Sequence, residues 1–497
     1  MEAFKQLPVR RPADKNKATG HSADGLSLLL EAFERGLVYS VWMNRADTFT
    51  FGRYDIDTSV SKIIFHYRTD LQNGEHKDFA EVLSISHCQT HQWETIPPKI
   101  LDSLCQSLSL VLGISYWKLS CTPIIRIEGF ELNEAQAIFW NTLYTKSLGE
   151  FFYKSNIDFR GLANFPFAKE ISTEVPSSYP RSNRTLLAIG GGKDSLVSAE
   201  FLSEHNIPYD LFVMGMSVMQ DRAAQSLNKI VQQAFRIRDP EYYSEIMRHD
   251  IDWVEPRLLD SFFTSLLVAL LFDYKYIAFS NESSADIRNT SYLGMDINHQ
   301  WEKSTEAESM VREYIHSNIT PDIELFSLCR QYSEIEMTRR FAQYGKHFYA
   351  FTSCNTNFTI PYARALSRPN RAFWCNQCPK CAFIFSCMSG FVPKHTLIDI
   401  FGQNLYEKKE LIPIFRQLLG LEGFKPFECV GTAEEMAVAM HLAHQKDSYN
   451  DTLAMKLFLQ HFTDQHSWNE MERNVFSQKK GSFIPLSFMS QIRSERS

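Results

Sequence analysis

The chain reads as an α/β protein: a parallel, doubly wound sheet preceded by an α+β domain. Three observations predict this. From residue 184 onward, short apolar segments alternate with helix-length ones, the pattern of a parallel sheet with helices on both faces. Ahead of them lie β-branched and aromatic segments separated by a turn, and then helical spacing. Between the two regions, "STEVPSSYPRSN" (172–183) is rich in Ser and Pro and has little to bury, as a linker does. A length of 497 residues also exceeds what one core ordinarily organises.

The elements follow in order. Residues 1–24 are polar, without the apolar stretch of a signal peptide, and read as a disordered start. The N-terminal domain is placed at 25–171. Within it "SKIIFHYRTD" and "DFAEVLSIS" read as strands joined by a turn at "NGEH". A helix opens at Pro98, since proline suits a first helical turn, and a second covers 131–153. The second domain is placed at 184–445. There "TLLAI" is a strand, 194–204 a helix, "YDLFVMG" a strand, 221–235 a helix, 258–274 an apolar helix and "KYIAFSNE" a strand. Residues 446–497 read as a polar helical extension.

Composition narrows the class. An apolar content of 44% and a charged content of 22% are those of a globular protein. A net charge of −7 argues against wholesale nucleic-acid binding. The longest near-apolar run, 262–272, is too short to span a bilayer. No membrane partner and a cytoplasmic location are expected. The ten cysteines are then expected to be reduced, which favours metal or catalytic roles over disulfides.

The stretch "LLAIGGGKDSLVSAEFL" (186–202) carries the first chemical signal. Gly190, Gly191 and Gly192 let the backbone turn sharply and lie close to another group. A strand ending in such a turn and opening a helix aims backbone N–H groups at one point, an anion site. Lys193 would add charge, Ser195 a hydroxyl, and Asp194 suits a divalent cation such as Mg²⁺ accompanying phosphates. The plainer alternative is a strand–helix turn capped by Asp or Ser. Neither G-x-x-x-x-G-K-[ST] nor G-x-G-x-x-G spacing is present. The loop resembles the PP-loop of the ATP pyrophosphatase (adenine nucleotide α-hydrolase-like) superfamily, Ser-Gly-Gly-x-Asp-Ser, with Gly190 in the place of the first serine. That resemblance implies cleavage of ATP to AMP and pyrophosphate.

"WCNQCPKCAF" supplies the second signal. It sets Cys375, Cys378 and Cys381 at C-x-x-C-x-x-C spacing, with Cys354 upstream as a fourth candidate ligand. Four thiolates suit a tetrahedral, structural Zn²⁺, or an iron–sulfur cluster. The alternative is a set of buried thiols beside an aromatic helix.

Longer stretches match in order across both regions: "GISYWK" (113–118), "GEFFYKSNIDFRG" (149–161), "AIGGGKDSLVS", "FSNESSA" (279–285), "NHQW" (298–301), "TSCNTNF", "WCNQCPKC", "FGQNL" (401–405) and "KPFECVG" (425–431). Together these resemble the UDP-N-acetyl-α-D-muramoyl-L-alanyl-L-glutamate epimerases. The resemblance implies an ATP- and Mg²⁺-dependent inversion of a terminal L-Glu to D-Glu for peptidoglycan. It implies an acyl-adenylate, which cancels the carboxylate charge so that the adjacent C–H can ionise. Candidates to move that proton are Glu282, which also suits Mg²⁺, His299 and Cys429. Each also has a structural alternative: His299 as a hydrogen-bonded core residue and Cys429 as a buried thiol. Arg288 and Lys303 are candidate partners for the substrate's acidic groups, and Tyr153, Lys154 and Arg160 for closing over the site. Two rivals stand beside this reading: a PP-loop enzyme adenylating a nucleobase or tRNA, and a nucleotide sensor without catalysis.

Overall fold

The computed structural model describes residues 45–170, 176–215, 217–358, 373–462 and 467–494. The disordered start assigned to residues 1–24, and residues 172–175 of the linker, lie outside them. Nine strands form one mixed sheet in the order β11-β8-β5-β6-β7-β3-β2-β1-β4. The strands are β1 (Ala46–Asp57), β2 (Lys62–Leu71), β3 (His76–Ile85), β4 (Ile124–Ile127), β5 (Thr185–Ala188), β6 (Tyr209–Met214), β7 (Val231–Ile237), β8 (Tyr276–Phe279) and β11 (Glu324–Ser327). A separate ribbon pairs β9 (Thr290–Tyr292) with β10 (Met295–Ile297).

The α/β class is as expected, but the sheet is larger and mixed. Its parallel part runs from β11 through β8, β5 and β6 to β7. There β3 joins antiparallel, Val82 opposite Ile237, so the N-terminal hairpin prolongs the sheet. The β2–β3 turn falls where "NGEH" places it, with Gly74 at φ 85°. Residues 176–183 are tied to the body: the Tyr179 N–H donates to Asp322 and the Ser182 N–H to Asp273.

Alternation along the parallel strands builds two cores. Leu186, Phe212, Ile277 and Leu325 face one side. Leu187, Leu211, Ala278 and Phe326 face the other. Side chains pointing to opposite faces with period two demand cover on both, which explains the continuous apolar runs. On the first face the helix Pro98–Lys118 packs against Arg257–Phe272. By length and apolarity Pro98–Lys118 passes for a membrane span, but 78% of its apolar window is buried within the protein.

Three expectations need correction. The helix expected over 221–235 is Val218–Leu227, after which the chain becomes β7. Asn228, in the left-handed conformation at φ 50°, stops the helix, and the alternation in "VQQAF" then serves a strand. The helix expected over 131–153 is two, Glu134–Ser147 and Gly149–Lys154. The first begins at Asn133 because its side chain accepts the Gln136 N–H. The C-terminal helices are not merely polar. Phe488 is fully buried, with its ring 5.1 Å from Tyr276 and 4.9 Å from Phe326.

Candidate active-site cleft

β5 ends at Ala188, the chain turns through the glycines, and the helix Lys193–Glu204 begins. Gly191 has φ 85°, and a Cβ there would lie 3.0–3.1 Å from the backbone of Met219 and Gln220. Only glycine fits. At Gly190 a Cβ would meet nothing within 4 Å, because the backbone faces open space. That space is a cavity of about 270 Å³ at the carboxyl ends of the parallel strands, where ligands of such sheets bind. Gly190, Gly192, Asp194 and Ser195 line it, with Ser280 and Asn281 after β8 and with Thr352, Ser353, Asn355 and Lys380. No side chain caps the helix Lys193–Glu204, so its N-terminus offers backbone donors to an anion. The Ser195 hydroxyl donates back to the Gly192 carbonyl at 3.1 Å.

Lys193 does not line this cavity. It is fully buried, paired with Asp194 and, at 3.1 Å, with Glu334. Burial disfavours its charge, but these carboxylates more than restore it and raise its pKa above the ordinary lysine value. Beside the loop it is Lys380, 2.8 Å from Glu334, that reaches the cavity wall. Sequence reading overlooked it between two cysteines of "CPKC".

Glu282 also turns inward. Its carboxylate accepts the Ala285 N–H, capping the short helical turn Ser283–Asp286. Burial, reinforced by Glu334, Glu435 and Asp194, pushes its carboxyl up to about 8. Burial likewise raises the carboxyl of Asp194 against the pull of Lys193. Asp194 keeps a quarter of its side chain exposed at the cavity, where it fits a divalent cation held against phosphates.

A second cavity, about 670 Å³, opens beside the first, and Gly190, Lys303 and Cys429 line both. At this join the structure brings His299 and Cys429 together. The Cys429 Sγ lies 3.7 Å from the His299 Nε2 and 3.2 Å from the Lys303 Nζ. The His299 Nδ1 bonds Glu150, whose carboxylate also pairs with Lys154. Burial alone would raise the Cys429 thiol, but Lys303 and His299 bring it down to about 5. Burial alone would lower His299, but Cys429 and Glu150 carry it up to about 10. Each shift favours the charged form of its group, so the two stabilise one another as thiolate and imidazolium.

Local structure explains the meeting. The His299 N–H donates to the Asn289 side chain at 2.8 Å. The Asn289 amide in turn donates to the carbonyls of Lys425 at 3.1 Å and Pro426 at 2.6 Å, and Gln300 donates to that of Val430 at 3.2 Å. One asparagine thus fixes "NHQW" against "PFECVG". Of the other candidates, Arg288 pairs with Asp296 and Arg160 with Asp158, both away from the two cavities. Tyr153 packs on Tyr292 and Phe427. Glu150 was overlooked within "GEFFYK", where helical spacing points to core.

The four cysteines converge. The sulfurs of Cys354, Cys375, Cys378 and Cys381 all lie within 4.8 Å of one another, as ligands of one tetrahedral ion would. Backbone N–H groups support them, Cys375 to the Cys354 sulfur and Cys381 to the Cys378 sulfur, each at 3.4 Å. A zinc ion there would clamp the segment Thr352–Asn355 to the helix Pro379–Ser389, and both supply cavity wall. The Thr352 N–H also bonds the Gly191 carbonyl at 3.1 Å.

Comparison with known proteins gives the family. Residues 42–328 match the family model described as the MurL N-terminal domain, and 350–473 match the MurL C-terminal domain. The chain belongs to the MurL family. A Micromonospora relative named UDP-N-acetyl-alpha-D-muramoyl-L-alanyl-L-glutamate epimerase is 32% identical over 82% of this chain and 89% of its own length. Proteins of the same name from Xanthomonas oryzae pv. oryzae and Salinispora tropica are 31% and 28% identical. They cover 78% and 91% of this chain, and 85% and 97% of their own lengths. The glycine loop falls in the first MurL segment and the cysteine cluster in the second, so the cleft is built by both.

Proposed function

We propose that the chain inverts the terminal L-Glu of UDP-N-acetylmuramoyl-L-alanyl-L-glutamate to D-Glu for peptidoglycan synthesis, in the cytoplasm. ATP is consumed through an acyl-adenylate, with release of AMP and pyrophosphate. The observation that carries this reading is the shared wall of the two cavities. A glycine-loop cavity suited to phosphates opens onto a larger one, and Cys429, His299 and Lys303 stand together at the join.

The residues divide the work. Backbone donors at 190–192 and the uncapped helix N-terminus hold the phosphates. Asp194 would hold Mg²⁺, which supplies charge neutralisation to the phosphates when bound. Zinc at the four cysteines would be structural. Adenylation removes the carboxylate charge that otherwise opposes loss of the α-hydrogen. Lys303 then faces the oxygen on which negative charge develops, and His299 exchanges the proton. Glu282, turned into the buried network, takes no part in the exchange.

The test is turnover in deuterated water with ATP, Mg²⁺ and the UDP-linked dipeptide. Expected are substrate-dependent pyrophosphate release and deuterium at the glutamate Cα. Pyrophosphate released only with a tRNA or a deazapurine acid would replace this reading with nucleobase adenylation, and ATP binding without turnover would replace it with a sensor.

A further inference from the structure

We propose that Cys429 captures the activated glutamyl group as a thioester, and that the α-hydrogen is exchanged in that state rather than on the adenylate. The proposal rests on the adenylation reading above.

Geometry carries it. Glu150, His299 and Cys429 follow one another as carboxylate, imidazole and sulfur, the order that activates a nucleophilic cysteine. Lys303 stands 3.2 Å from the sulfur, close enough to neutralise an adjacent oxyanion. Both Cys429 and Lys303 border the glycine-loop cavity, where an adenylate would form, and the larger cavity, where the rest of the substrate has room. A thiolate stabilised this far is a poor base toward a carbon acid but remains a competent nucleophile.

The steps balance. The Cys429 thiolate adds to the acyl-adenylate carbonyl. The C–S bond forms, the C–O bond to phosphate breaks, and its electron pair leaves with AMP. Acylated sulfur carries no charge, so His299 loses one of the two anions that hold its proton. That proton passes to the departing phosphate or to solvent, and the neutral Nε2 takes the α-hydrogen. The electron pair moves onto the carbonyl oxygen facing Lys303, and water on the opposite face returns a proton. A second water then adds to the carbonyl and the C–S bond breaks, restoring carboxylate and thiolate; of the two protons this frees, one neutralises the hydroxide left by the first water and one is released. Sulfur donates into a carbonyl more weakly than an ester oxygen does, so a thioester keeps its α-hydrogen acidic. It also outlives a mixed anhydride in water.

The experiment uses the full chain with ATP, Mg²⁺ and UDP-N-acetylmuramoyl-L-alanyl-L-glutamate, quenched in acid from milliseconds to full turnover and read by protein mass spectrometry. Expected is an adduct of substrate less one water on the peptide bearing Cys429, discharged by hydroxylamine. Cys429→Ala is expected to keep substrate-dependent ATP–pyrophosphate exchange within about tenfold of the parent, which reports an intact fold and adenylation. It is expected to lose at least about 10³-fold in deuterium incorporation at Cα. Absence of the adduct at every quench time overturns the proposal, and leaves Cys429 a proton-transfer role if the variant is inactive. Deuterium incorporation surviving Cys429→Ala also overturns it. Absence of ATP–pyrophosphate exchange in the parent protein would instead remove the adenylation reading on which it rests.

Discussion

Two clusters of charged side chains flank the glycine loop, and they differ in where their atoms point. Beneath the loop, Lys193, Glu334 and Lys380 neutralise one another at 3.1 and 2.8 Å. Glu435 accepts from the Ser284 hydroxyl at 2.9 Å and the Ile335 N–H at 3.1 Å. Apart from Asp194 and Lys380 at its rim, this cluster is closed. At the join of the cavities, Cys429, His299 and Lys303 are held just as firmly from behind, but they open onto space. Buried charge alone therefore does not mark chemistry. A network whose partners all lie within the protein supports a fold, and one whose open side is a cavity is available to a substrate.

The largest effect that would break this contrast is at Lys193. Lys193→Met leaves Asp194 without its buried cation and Glu334 with Lys380 alone, and removing one partner of such a network costs about 3–5 kcal/mol. Thermal unfolding should show a large fall in melting temperature. An unchanged melting temperature with weakened ATP binding alone would make Lys193 a phosphate ligand and erase the distinction. Lys303→Met should do the reverse. Turnover should fall by about 10²–10³-fold, as when an oxyanion partner is removed, with little change in melting temperature.

The glycine loop allows the same comparison between adjacent residues. Gly191→Ala meets backbone at 3.0 Å with φ 85°, so it should cost about 1–3 kcal/mol in unfolding experiments and disturb the loop. Gly190→Ala puts its methyl into open space. It should leave stability within about 0.5 kcal/mol and raise the KM for ATP, because the methyl occupies the cavity. Equal losses of stability at both positions would mean that the cavity at Gly190 is not open.

What the sequence disclosed, and what it hid, follows from the range of the interactions. The glycine turn, the cysteine spacing and the β2–β3 turn are local, and all three stand where the residues place them. The joining of the N-terminal hairpin to the parallel strands depends on β3 pairing with β7, which lies some 150 residues away and which the sequence pattern passed over as helix. In the cleft, His299 and Cys429 were each legible as chemistry-bearing residues. Their meeting was not, because Asn289 joins segments more than a hundred residues apart. Lys193 shows the opposite case. Its position beside the glycines suggests a phosphate ligand, whereas its pairing with Glu334, which arrives from a distant helix, could not be read from the sequence.

The smallest effect separates the clusters by pH. Burial, with Glu334, Glu435 and Asp194 adding to it, holds the Glu282 carboxyl near 8 against an ordinary 4.5. Between those values the folded protein keeps a proton that the unfolded chain has lost. The stability this contributes is therefore whole below pH 4.5 and is lost as pH rises toward 8, at up to about 1.4 kcal/mol per pH unit. Glu282→Gln fixes the neutral form at that position. Its melting temperature should decline less steeply than the parent's over this window, with the curves diverging by a few degrees by pH 8. Asp260 and Glu302, raised by burial to about 6 and about 7, contribute equally to both proteins, so the difference reports Glu282 together with the carboxylates coupled to it. Turnover near neutral pH should change far less than in Lys303→Met, because Glu282 lines neither cavity. Parallel melting curves together with lost turnover would place Glu282 among the reacting groups, and the closed cluster would no longer be closed.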